Sequence, residues 1–354
     1  MKHFFPVIIL LFTLCSTIPE LQAQDQHFTQ FFASPLTLNP ALAGAFEGRY
    51  RMSVIYRDQA RNVAEEPYIT WSGAVDVRFP LKFRSGLRTD AAGVGLIFYN
   101  DQVPNIGFST NQLHLAGSYH KSLSRNDDQY LSLGAQVGLS QRNVNYDKLT
   151  FEDEFNGLNG YTDPTSEILP PNNFSFSDIA IGLNYSYAPS RKTAVFIGAA
   201  MHHVLEPQVS FFIDEDNPEN SNDNALLRKI TAYINLQIPI ADRIQLSPRA
   251  LVYSQGPHLA TNAGTNLRFL LNDITGAALH VGGWVRNVRD EDESFSMDAI
   301  IFMAGFEYNN FLIGVSYDAA LGEISAARSG QTAFEISIAY LGEYEDETVI
   351  CPKF

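Results

Sequence analysis

The chain is nearly free of cysteine. Of its 2 cysteines, Cys15 lies in a leader-like stretch. The mature protein therefore keeps Cys351 alone and can close no disulfide within itself. Basic residues are also scarce: 24 Lys and Arg stand against 39 Asp and Glu, a net charge of -15. Nucleic acid is gripped through its phosphates by clustered Lys and Arg, so this balance excludes it as a partner. Past the leader there is no apolar run of the ~18 residues that span a bilayer as a helix. Common chemical signatures are missing too, including Gly-x-Ser-x-Gly, His-Glu-x-x-His and the phosphate-binding loop. Gly138-Leu139-Ser140-Gln141-Arg142 has only the first half of a nucleophile elbow. We read no catalytic set, cofactor or metal site, and expect a protein that is not an enzyme. His202-His203 looks like a metal pair, but adjacent strand residues point to opposite faces. One ring is expected in a barrel lumen and the other near the membrane interface. The lumen candidates His114 and His120 leave a dispersed hydrolase site as a weaker reading.

What is present begins with a secretory signal over 1–23. Lys2 and His3 form its charged start, 7–14 is an apolar core too short to span, and Leu21-Gln22-Ala23 ends in a small residue. The mature start falls at Gln24, and Leu14 before Cys15 argues against a lipid anchor.

The rest of the chain reads as about 14 strands. They fall at 49–57, 68–79, 91–101, 109–123, 130–145, 175–188, 193–204, 229–240, 243–254, 260–271, 276–287, 295–308, 311–319 and 332–341. Most reach the ~9–11 residues that a tilted membrane strand needs. Leu131, Leu133, Ala135, Val137 and Leu139 alternate with Ser132, Gly134, Gln136, Gly138 and Ser140; Phe334, Ile336, Ile338 and Tyr340 alternate with Ala333, Glu335, Ser337 and Ala339. One set suits lipid and the other a polar lumen. A soluble sandwich gives the same alternation, and a mean hydropathy of -0.09 fits either. Connection lengths separate them. With a periplasmic N-terminus, the long connections 147–174, 205–228 and 318–331 all fall outside. The periplasmic ones are short, except 80–90. Short periplasmic turns and long external loops are the pattern of outer-membrane barrels. We therefore expect an all-β, transmembrane antiparallel β-barrel over 49–341. Asn309-Asn310 and Asn272-Asp273 are expected in tight turns with positive φ.

The external loops are acidic. Glu152, Asp153 and Glu154 stand in one, and Asp214, Glu215 and Asp216 in another. Solubility explains them, and they are also candidate partner contacts. The second run lacks the spacing and glycine of a calcium loop.

Residues 24–48 precede the first strand. Phe28, Phe31, Phe32, Leu36 and Leu38 are too apolar for a free tail. Pro35 and Pro40 bias Ser34 and Asn39 toward extended backbone. Asn39 can satisfy neighbouring backbone groups, and Gly44 permits a sharp turn. We expect a periplasmic plug or latch packed into or across the periplasmic mouth, with a short arm docking another protein as the alternative. At the other end, 342–354 reads as an acidic periplasmic tail. Tyr340 would close the last strand, with Cys351, Pro352 and Phe354 folding back onto the rim or a partner.

Three stretches together carry a resemblance. They are His27-Phe28-Thr29-Gln30-Phe31-Phe32-Ala33-Ser34-Pro35 with Leu38-Asn39-Pro40-Ala41-Leu42-Ala43-Gly44, the run Arg328-Ser329-Gly330-Gln331-Thr332-Ala333-Phe334-Glu335-Ile336-Ser337-Ile338, and the ending Cys351-Pro352-Lys353-Phe354. The chain resembles the PorP/SprF family of type IX secretion and gliding outer-membrane proteins from end to end. Its motif residues here would be His27, Phe31, Pro35, Asn39, Pro40, Ala41 and Gly44. The resemblance implies a barrel in the outer membrane. Its implied partners are the lipid bilayer, other secretion components and a large secreted adhesin held by its C-terminal domain. The Asn-Pro-Ala core also opens hydrophobic-solute channels, so a channel for hydrophobic or small solutes is the alternative function.

Overall fold

In the computed structural model, residue 25 and residues 27–61, 66–82, 89–158, 160–190, 192–211, 224–289, 295–321 and 332–342 are described. The signal stretch, the acidic run at 214–216, residues 328–331 and the tail with Cys351, Pro352 and Phe354 lie outside them. Fourteen strands follow one another as an antiparallel meander. They are β1 (Tyr50–Gln59), β2 (Tyr68–Lys82), β3 (Thr89–Val103), β4 (Phe108–Ser122), β5 (Gln129–Val144), β6 (Asn173–Ser190) and β7 (Thr193–His202), then β8 (Lys229–Ala241), β9 (Ile244–Gln255), β10 (His258–Asn272), β11 (Ala277–Arg289), β12 (Phe295–Tyr308), β13 (Phe311–Ala320) and β14 (Ala333–Gly342). The sheet closes: β1 pairs with β14, with Val54 opposite Ile338. Closure removes the edges that would leave backbone groups unsatisfied in lipid. Among the described residues no helix is long and apolar enough to cross a membrane.

The faces decide barrel over sandwich. Leu133, Leu139 and Phe302 are 61%, 66% and 61% exposed, with Leu113, Val137, Phe306 and Ile338 on the same outer surface. The neighbours in alternation are buried and polar, including Arg51, Asp76, Arg57, His120, Asp318 and Glu335. An apolar outside around a polar inside is stable only where the outer solvent is lipid.

The long connections 145–172 and 203–228 share one end, although the links 104–107 and 256–257 at that end are short. The opposite end has short turns. Asn309 and Asn310 both take positive φ, 46° and 69°. The β10–β11 turn differs from expectation. Asn272 Oδ1 accepts from the Ile274 and Thr275 amides, and Gly276 takes the positive φ of 62°. The apparently long connection at 80–90 shrinks as well. The β2–β3 ladder runs through Pro80, opposite Ala91, to Lys82 opposite Thr89.

Candidate functional site inside the barrel

Asp25 and residues 27–48 thread the lumen lengthwise. Asp25 lies against Gln255, His203 and Lys229 at the long-loop end. Gly48 abuts Gly342 at the short-turn end. This is deeper than a plug across one mouth, and the wall explains it: bonding partners line the lumen along its whole length.

At the start, the Asp25 amide donates to Gln255 Oε1 at 3.0 Å. The Asp25 carboxylate sits 2.5 Å from His203 Nε2 and 3.6 Å from Lys229 Nζ. His203 Nδ1 is 2.9 Å from Asp178. Burial works to lower the His203 pKa, but the two carboxylates outweigh it and raise it to about 9. Burial likewise opposes the charge on Asp25, and Lys229 and His203 hold its carboxyl well below the usual range. His202 lies on the same side, its Nε2 3.3 Å from the Leu38 carbonyl. Both rings are thus inside the barrel, a correction to their expected split. His203 follows the last residue of β7 and takes a φ of +56°, which breaks the alternation. The described residues hold no His, Cys, Asp and Glu group arranged for a metal ion.

His27 meets the Tyr253 hydroxyl at 2.8 Å. Next, Glu335 receives two consecutive backbone amides, Thr29 at 2.7 Å and Gln30 at 2.8 Å, one on each oxygen. Arg57 neutralises it at 2.5 Å. Thr29 Oγ1 donates to Asp318 at 2.7 Å, and Arg286 reaches the same carboxylate at 2.8 Å. Such buried charges are tolerable only when paired and hydrogen-bonded, as these are. Phe31 meets Trp284 edge-on and Phe32 stacks on it, with ring centroids 5.7 and 5.9 Å apart. The Arg249 guanidinium also lies over the Phe32 ring, 3.9 Å from its centroid.

Pro35 opens a single helical turn, Pro35–Leu38, and Pro40 opens a 3-10 turn, Pro40–Leu42. Proline suits a first helical position because the amide there has no helical partner. Asn39 joins the turns. Its Oδ1 accepts from the Ala41 amide at 2.8 Å, and its Nδ2 donates to the Leu183 and Ala199 carbonyls at 3.0 and 3.2 Å. A Cβ on Gly182 would come within 1.9 Å of Asn39 Oδ1, so the wall must be glycine there. Ala41 is fully buried. Gly44 has a φ of +67°; its amide donates to Asp76 at 2.7 Å and its carbonyl accepts from Arg78 at 2.7 Å. The motif residues His27, Phe31, Pro35, Asn39, Pro40, Ala41 and Gly44 therefore all belong to one lumen-filling unit.

The sequence reading did not name the wall partners Arg57, Arg286, Asp318 and Trp284. Their available signal was a charged or bulky residue at an inward position of a strand. Of the acidic-loop candidates, Glu152, Asp153 and Glu154 form a 3-10 turn in a long loop, with none of the three buried. Asp153 accepts from Ser166 and Thr165, and Glu154 from the Phe151 amide, so two of the three carboxylates brace their own loop.

The model of the family described as type IX secretion system membrane protein PorP/SprF matches residues 20–340 of the chain. Among solved structures, the Pseudomonas putida toluene transporter TodX is 11% identical with a TM-score of 0.45, covering 90% of this chain and 98% of its own. A Pseudomonas aeruginosa FadL homologue is 11% identical with a TM-score of 0.47, covering 87% and 94%. Likenesses at this level say nothing of what the barrel does. No curated protein matches the chain.

Proposed function

Because the chain belongs to the PorP/SprF family of type IX secretion system membrane proteins, we propose that it is a non-enzymatic docking barrel of that pathway. It holds or helps export a large surface adhesin through the adhesin's C-terminal domain, with its long-loop end outward. The observation that carries this reading is the filled lumen. Glu335, Asp318, Asn39, Arg78 and His203 tie the segment at its start, middle and end. A lumen threaded from end to end by this segment, with a cavity of about 280 Å³ left at the long-loop end, suits a platform better than a conduit. The apolar pocket beside Phe31, Phe32, Leu38 and Phe196 has a volume of about 60 Å³. That is well below the roughly 150 Å³ of a cavity known to take benzene, so the solute-channel alternative gains no support from it. Affinity purification from the native outer membrane tests the proposal. A large adhesin recovered in stoichiometric amount is the expected result, and a barrel recovered with no secreted partner would overturn it.

A further inference from the structure

At the long-loop end, beside Asp25 and Thr37, lies a lumen cavity of about 280 Å³. Most charges around it are already spent on one another. Asp25, His203, Asp178 and Lys229 form one connected group. His114 leans on Gln112 at 3.3 Å, and His202 on the Leu38 carbonyl. Arg142 on β5 is different. Among the described residues its half-buried guanidinium hydrogen-bonds the Val209 carbonyl alone, at 3.3 Å, and lies 5.8 Å from the Phe176 ring. Its Nε is buried without a hydrogen-bond partner, and none of the ion pairs among the described residues includes it. A second lining group, Gln136 Oε1, is also buried without a partner. The remaining charge on the lining is Asp101, which accepts from Thr70 at 2.6 Å, attracts Arg142 from a distance and is in no direct ion pair among the described residues.

A guanidinium whose Nε is enclosed without an acceptor, and whose nearest described carboxylates act on it only at a distance, is a costly arrangement unless something arrives to meet it. Its planar fork matches a carboxylate with two parallel hydrogen bonds. Gln136 Oε1 and Asp101 then call for donors on the same ligand. We propose that this cavity binds a carboxylate carrying a neighbouring N–H group, with the carboxylate on Arg142 and the N–H on Gln136 or Asp101. Two sources share that chemistry, the free carboxy terminus of a peptide chain and a small free amino acid. The cavity volume admits a chain end or a small molecule, not a folded surface. The site stands on its own observations and does not depend on the adhesin reading.

The test is calorimetric titration of the purified full barrel in detergent with acetyl-Gly-Gly-Phe and with its C-terminal amide. The acid is expected to bind at least ~10-fold more tightly, the scale of one charge-assisted hydrogen bond. Arg142→Gln should abolish that preference, and Arg142→Lys should restore part of it. Gel migration of boiled and unboiled samples shows whether each variant is folded. Should Arg142→Gln fail to fold, the acid-against-amide comparison on the unaltered protein still decides. Free phenylalanine distinguishes the sources. Binding equal to the peptide acid assigns the site to small amino acids, and much weaker binding assigns it to a chain terminus. An acid that binds no better than its amide, or a folded Arg142→Gln protein that binds the acid as tightly as the original, overturns the proposal.

Discussion

Glu335→Ala should loosen the N-terminal segment while leaving the barrel closed. The carboxylate receives the Thr29 and Gln30 amides at 2.7 and 2.8 Å. Hydrogen bonds to a charged group contribute about 1.5–3 kcal/mol each. Taking both at the low end, the loss is about 3 kcal/mol for local opening, before counting the unpaired Arg57. About 1.4 kcal/mol is a factor of ten, so the open population should rise roughly 100-fold. The barrel ladder does not depend on this side chain, because β14 keeps its backbone pairing with β1 and β13. Ala33, buried beside Phe32, accepts a cysteine with little change in volume. In an Ala33→Cys, Cys351→Ser protein, a small maleimide should react slowly. Adding Glu335→Ala should speed labelling by roughly 100-fold, with boiled and unboiled samples still migrating apart on gels. Unchanged labelling in a folded Glu335→Ala barrel would refute the claim that this carboxylate holds the segment.

The His203 contact adds a pH dependence. Its folded pKa of about 9 lies above the ordinary value of 6.5, so its stabilisation is complete below about pH 6.5 and is lost as pH rises through about 9. Hydrogen exchange at the Thr29 and Gln30 amides, corrected for intrinsic rate, should lose protection across that window, and His203→Gln should flatten the profile. The two ends of the barrel can be told apart on intact cells. Cysteine at Leu158, 89% exposed in a long loop, should label with an impermeant maleimide, whereas cysteine at Ile274, 96% exposed in a short turn, should label only after the outer membrane is opened. The reverse pattern would invert the orientation. Gly182→Val should displace Asn39, because even a Cβ comes within 1.9 Å of its Oδ1, and should speed Ala33→Cys labelling. Deleting 348–354 tests the tail as a partner contact. Normal membrane level with lost adhesin display supports that role, a collapsed level points to assembly, and no change in either rejects it.

Strand number and facing were legible because alternation is a local property. Leu131, Leu133, Val137 and Leu139 fall outside as read, and Ser132, Gln136 and Ser140 inside. The Asn309-Asn310 turn was legible for the same reason, since positive φ is tolerated by asparagine itself. Boundaries were harder. Pro80 reads as a strand end because it lacks an amide, yet the ladder passes through it, because pairing is a property of two strands together. The expected split of His202 and His203 failed by the same limit: His203 takes a left-handed φ of +56° just past β7, which breaks the alternation, and the sequence does not announce it.

The composition and apolar spacing of residues 28–38 determined that the N-terminal segment must be buried, and the alternation determined that inward strand positions are polar. Where the segment lies was decided only by closure. Glu335, Asp318 and Arg286 are separated from Thr29 by roughly the length of the barrel sequence. They converge on it because β1 pairs with β14 and brings the two ends of the chain to one wall. Arg142 belongs to the same category. In sequence it is one more polar residue near the end of a strand, and only the folded barrel brings it to one cavity with Gln136 and Asp101 and leaves its Nε enclosed with no acceptor among the described residues.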